Sequence, residues 1–143
     1  TVNTSMAAIK GMKKNNWGRI INMASVSVKE PLSYLALSNT IRSAVTSWGK
    51  TLSIESGKHN ITVNNILTGF FNTERLNQLN SEKAKKFNVS IDEVFDKMSE
   101  MVPLKRIGKP EEFGYLVAFL SSDYADYING SNIPIDGGLL KSM

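Results

Sequence analysis

The chain has 143 residues, a net charge of +4 and no cysteine. That length supports one domain with one modest core, and the lack of cysteine excludes disulfides and thiolate chemistry. Hydrophobic residues make up 41% and charged residues 21%, an ordinary globular balance, and no apolar run approaches the roughly 18–20 residues of a membrane helix.

Residues 5–14 read as the end of a helix, with Ile9 and Met12 on one face, broken by Asn15-Asn16-Trp17-Gly18. Residues 19–24 form a short apolar run, as expected of a parallel strand buried on both faces. A loop follows, and then the longest helix, over 33–56. Its apolar stripe is Leu37, Ile41, Ala44, Val45, Trp48 and Leu52 at helical spacing, with Gly57 as the residue that closes it. Residues 61–67 read as a second strand. The stretch 72–102 reads as two or three short helices forming a cap, and Ser90 and Glu93 stand at capping-box spacing. Val94, Phe95, Met98 and Met101 give that last cap helix one apolar face. Pro110 fits the first position of a further helix, with Glu111 and Glu112 beside its positive end; Phe113, Leu116, Val117 and Leu120 form its stripe. Asn129-Gly130 marks a turn. A last strand, 131–135, ends at Asp136-Gly137-Gly138, and Pro134 puts it at a sheet edge because proline cannot donate to the ladder.

Strands alternating with helices predict an α/β fold with a doubly wound parallel sheet, a single partial domain over 1–143. Three strands make half of such a sheet. A strand at 19–24 buried on both faces needs a neighbour, from sequence outside this chain or from a partner.

Five segments then align in one order. Gly18-Arg19-Ile20-Ile21-Asn22-Met23-Ala24-Ser25 is a strand ending in serine, and Ile61-Thr62-Val63-Asn64 is the next. Gly69-Phe70-Phe71-Asn72-Thr73 is a glycine-led loop after it. Pro103-Leu104-Lys105-Arg106-Ile107-Gly108-Lys109-Pro110-Glu111-Glu112 and Tyr127 to Gly138 complete the set. Together, and over essentially the whole chain, they resemble the C-terminal part of the short-chain dehydrogenase/reductase family. The resemblance implies a Rossmann-like fold and hydride transfer between NAD or NADP and a carbonyl or alcohol. It implies a catalytic Ser25 that binds the substrate oxygen. It assigns the cofactor loop to Thr68, Gly69, Phe71 and Thr73, with Thr68 standing where the family has proline. The family's glycine-rich pyrophosphate turn and its ribose selector have no counterpart in this sequence.

The family places a catalytic tyrosine thirteen residues after the serine and a lysine four further on. Counted from Ser25, those positions hold Ser38 and Arg42. The two lie i,i+4 on one helix face. Arginine can stabilise an oxyanion or grip ribose or phosphate bidentately, whereas a serine hydroxyl is a poor proton donor. Tyr34, one helical turn earlier, is a possible substitute acid or simply a pocket wall. The expected catalytic set is therefore Ser25, Ser38, Arg42 and Tyr34. Phe87, Phe95 and Met98 in the cap suggest a fairly apolar substrate. The altered pair also motivates a second reading, a non-catalytic relative that binds a dinucleotide or forms oligomers.

The basic residues fall in short scattered clusters, at Lys13-Lys14, at Lys83 with Lys85-Lys86, and at Lys105-Arg106 with Lys109. None matches a nucleic-acid motif, so no nucleic-acid partner is expected, and no membrane. Asp136 before two glycines reads as a turn, and the lone His59 has no ligand partner at metal spacing, so no metal is expected. The first residues show no signal-peptide pattern, and a cytoplasmic location is expected. Family members assemble as dimers or tetramers, and Leu35 and Ile54 suit a homo-oligomeric contact.

Overall fold

The computed structural model describes residues 1–142. Its elements run α1 (Val2–Asn15), β1 (Gly18–Met23), α2 (Ala36–Ser56), β2 (Ile61–Thr68), α3 (Glu74–Phe87), α4 (Ile91–Met101), α5 (Pro110–Ser121) and β3 (Asn132–Ile135). The three strands form one parallel sheet in the order β1-β2-β3. The sheet is doubly wound: α1 and α2 cover one face and α5 the other. Ile20, Ile61 and Val63 pack with Ile9 and Leu52 on the first face. Ile66 packs with Leu120 and Ala125 on the second, ringed by Phe113, Leu116 and Val117. Fully burying each isoleucine, leucine or valine among these stabilises the fold by about 1.5–3 kcal/mol.

β2 is central and buried along almost its whole length. β3 lies at the edge, as Pro134 requires. β1 occupies the other edge of the three strands, as a strand whose neighbour lies outside this chain must; its burial alternates instead of being complete on both faces, with Ile20 and Asn22 buried, Ile21 half-buried and Met23 exposed. Arg19 in this strand is nearly enclosed. Its guanidinium bonds the carbonyl oxygens of Gly18 and Asn60 and the carboxylate of Asp126, and it lies 4.7 Å over the Trp17 ring.

The stripe read along α2 is corrected in its first half. Leu37 and Ile41 are exposed, and Leu52 is its only buried member. The helix instead buries Thr46, Gly49, Leu52, Ser53 and Ser56. Small and polar groups are needed there because the sheet presents amides at that level. Asn22, Asn65 and Asn132 stand side by side in register across the three strands. The Asn22 amide donates to Asn65 Oδ1 at 2.9 Å, and Asn65 donates to Asn132 Oδ1 at 2.8 Å. A Cβ on Gly49 would come within 2.7 Å of Asn65 Oδ1, so only glycine lets the helix approach this ladder.

Two helix ends also move. α2 begins at Ala36, because Tyr34 has a φ of 65° and breaks the helical path at the residues read as its first turn. Gly57 continues in right-handed geometry into a short 3-10 turn, and the left-handed residue that ends it is Asn60. The cap consists of two helices, α3 and α4. They pack around Asn80, Ala84 and Met98, all buried. Ser90 and Glu93 form the expected reciprocal cap at the start of α4. Pro110 opens α5 as read.

Candidate functional site

The carboxyl ends of β1 and β2 converge on one atom. The carbonyl oxygen of Ala24, a residue 1% exposed, accepts a hydrogen bond from Arg42 Nη1 at 3.0 Å and another from Thr68 Oγ1 at 3.0 Å. A carbonyl has two lone pairs, so this oxygen is saturated. It ties the first turns of α2 and the end of β2 to the end of β1. A proline in place of Thr68 could not supply the second bond.

Ser25 follows directly. Its backbone is extended, and its Oγ accepts from the N–H of Ser27 at 3.1 Å, capping the 3-10 turn Val26–Val28. Accepting that bond leaves its own hydroxyl proton free to donate. Ser25 and Arg42 both line a cleft of about 450 Å³. Ser38 does not; it sits behind Arg42 and accepts from Arg42 Nε at 3.3 Å. The guanidinium has five donors, and these two bonds leave the remainder free. Tyr34 stands apart from the three. It is fully exposed and lines no wall of the cleft.

The loop after β2 supplies the floor. Thr68, Gly69, Phe71 and Thr73 all face the cleft. Gly69 donates to the carbonyl of Ile135 at 3.0 Å, and a Cβ there would lie 2.7 Å from Asp136 Cβ; the close approach to the end of β3 requires glycine. Phe71 meets Phe113 edge to face, centroids 6.2 Å apart, and the N–H of Gly108 donates to the Phe70 carbonyl at 2.9 Å. Thr73 caps α3, its Oγ accepting from the N–H of Leu76 at 3.3 Å. The size and lining suit the nicotinamide end of a dinucleotide: hydroxyls and backbone on one side, aromatic rings on the other.

The cap enters the cleft differently from the expectation. Phe87, Phe95 and Met98 do not line it; Arg75, Leu76 and Leu79 on α3 do, facing Leu32 and Leu35 from the loop before α2. Periodicity could not choose between these faces, because α3 is mostly polar and its leucines are few. The same loop is held to the chain's last residues by Glu30, whose Oε1 accepts from the N–H groups of Lys141 and Ser142 at 2.9 and 2.8 Å. The Ser142 amide, and next that of Lys141, holds this carboxyl below the usual carboxylate range. Asp136 is engaged in the turn after β3, accepting from Gly138 and Leu140. Among the described residues no helix is long and apolar enough to cross a membrane.

A family model described as enoyl-(acyl carrier protein) reductase matches residues 1–140. The NADPH-dependent reductase BacG of Bacillus subtilis is 38% identical over 132 residues, which are 92% of this chain and 51% of that protein. The crystal structure of YwfH, an NADPH-dependent reductase involved in bacilysin biosynthesis, superposes with a TM-score of 0.93 at 35% identity, covering 99% of this chain and 54% of that one. L-sorbose reductase from Gluconobacter frateurii, solved with NADPH and L-sorbose, gives a TM-score of 0.89 at 33% identity, covering 94% and 52%. The chain thus spans about half the length of the relatives it matches.

Proposed function

Because the chain belongs to the short-chain dehydrogenase/reductase family, we propose that the whole protein is a cytoplasmic reductase that passes a hydride between NADPH and a carbonyl or alcohol. The observation that carries this reading is the convergence of Ser25, Arg42 and Thr68 at the strand ends, beside a cleft of about 450 Å³. Ligands of open α/β sheets bind outside the carboxyl ends of the strands. NADPH is favoured over NADH because BacG and YwfH are described as NADPH-dependent.

Thr68, Gly69, Phe71 and Thr73 would hold the nicotinamide end, and the bound cofactor supplies the hydride. Ser25 donates its free hydroxyl proton to the substrate oxygen as a hydrogen bond. Arg42, aimed by Ser38 and by the Ala24 carbonyl, stabilises negative charge growing on that oxygen. A guanidinium keeps its proton at working pH, and Tyr34 faces solvent, so the proton that completes reduction comes through water. The cap over 72–102 closes the substrate side. The protein works as a homo-oligomer, in which the uncovered Leu37 and Ile41 on α2 meet a second copy.

One observation favours a second reading. No phenol lines the cleft among the described residues, which fits a relative that binds the dinucleotide without turnover. The two readings separate in one assay, NADPH oxidation by the whole protein against a broad panel of ketones, aldehydes and enones. Consumption above the uncatalysed rate supports the reductase. Tight NADPH binding with no consumption supports the binding protein.

A further inference from the structure

The substrate side of the cleft has an unusual electrostatic composition. Arg42 and Arg75 both line it, and among the described residues no carboxylate does. Arg42 is held by protein acceptors. Arg75 is not: it makes no ion pair among the described residues. It projects from the second residue of α3, a helix that starts at the cofactor loop. One turn on, Leu79 shares its face, and Leu76 adjoins it. The opposite wall, Leu32 and Leu35, is hydrocarbon.

A helix face carrying one guanidinium and leucines a turn away offers a charge and an apolar surface about 5–6 Å apart. On the reductase reading the nicotinamide end is assigned to Thr68, Gly69, Phe71 and Thr73, on the segment that precedes α3, and the α3 face beyond it is left to the substrate. Arginine's planar fork matches a carboxylate in a bidentate manner. Building on the reductase reading, we propose that the substrate is an anionic carbonyl compound with a compact hydrocarbon body, an oxo-carboxylate whose carboxylate is read by Arg75. Leu76 and Leu79 pack on its apolar body against Leu32 and Leu35. Arg42 and Ser25 remain with the reacting oxygen.

The test is calorimetric titration of the whole protein, with and without NADP+, using cyclohexanecarboxylate and the uncharged cyclohexanecarboxamide as probes. The carboxylate is expected to bind at least about tenfold more tightly than the amide. Arg75→Met is expected to bring the two probes within about twofold of each other, and Arg75→Lys to restore part of the preference. Equal binding of both probes, binding of neither, or a preference that survives Arg75→Met overturns the proposal. Turnover reports separately on the reductase reading. A carboxylate preference without NADPH oxidation keeps the anion-reading cleft and removes the reductase. NADPH oxidation without the preference does the reverse.

Discussion

Ser25 offers a developing alkoxide a hydroxyl hydrogen bond and Arg42 a fixed positive charge, so the division of labour between them decides how this cleft could work at all. Ser25 is a preorganised donor, with its lone pair already engaged by the Ser27 amide. Removing one such donor from a developing oxyanion costs on the order of 10²–10³ in rate. Ser25→Ala is therefore expected to lower kcat/KM for NADPH oxidation by that factor. Tyr34→Phe is expected to change it by less than about twofold, because a general acid worth about 10²–10⁴ has to reach the substrate and this phenol is fully exposed. A hundredfold loss in Tyr34→Phe would return the proton to that phenol. Spacing alone picked out Ser25, Arg42, Thr68, Gly69, Phe71 and Thr73, which the structure brings to one cleft while leaving Ser38 and Tyr34 outside it, since motif order survives in sequence. It did not find Arg75 or Leu79, because which face of a polar helix looks inward is set by the loop opposite. Nor did it find the inward carbonyl of Ala24, a backbone group that every residue carries.

Between elements, the asparagine ladder is the feature with the sharpest energetic signature. Asn22 and Asn132 are both bonded through Asn65, so Asn65→Ala leaves two amides without that partner and opens a hole beneath Gly49. The unfolding free energy from urea titration is expected to fall by about 1–3 kcal/mol; a change below about 0.5 kcal/mol would mean the ladder is incidental. At the start of α5, Glu112 accepts from Arg106 at 2.6 and 2.8 Å and from the Lys109 amide at 2.7 Å. The Arg106 guanidinium, and next the Lys109 amide, lowers its carboxyl to about 2. A depressed carboxyl contributes stability that is present above its unfolded value and lost as pH falls through its folded one. The melting-temperature gap between the unmodified protein and Glu112→Gln is expected to be steady above pH ~4.5. It should close as pH falls toward 2. Its size is expected to stay within roughly 3 °C, since the pair is half exposed and screened. The Ser90–Glu93 cap was legible because both partners lie in one short motif. The ladder was not, because its register depends on strands more than forty residues apart.

At the scale of the molecule, the doubly wound parallel sheet followed from strand–helix alternation, and the edge position of β3 from Pro134. The burial of β1 and of α2 did not. An apolar stripe at helical spacing marks what a helix can bury and is silent on which part of it another element covers. The covered part here is the half of α2 that crosses β2, and Leu37 and Ile41 remain outside it at 75% and 55% exposure. Large contiguous apolar patches mark contact surfaces. Ile41→Glu is expected to reduce the solution mass of the whole protein by about half or more in light scattering, with the melting temperature of the dissociated species still measurable. An unchanged mass would put the subunit contact elsewhere.

The turn at Asn129-Gly130 bears on how the protein ages. An asparagine before glycine loses its amide when the next backbone nitrogen attacks the side-chain carbonyl. Here that nitrogen donates to the Val63 carbonyl at 2.9 Å. The Asn129 amide is gripped at both ends, by the Val63 N–H and the Ser53 carbonyl. Deamidation at this turn then requires the end of the sheet to open first. The slow appearance of aspartate or isoaspartate at position 129 becomes a chemical clock for how often native molecules unlatch β2 from the turn that leads into β3.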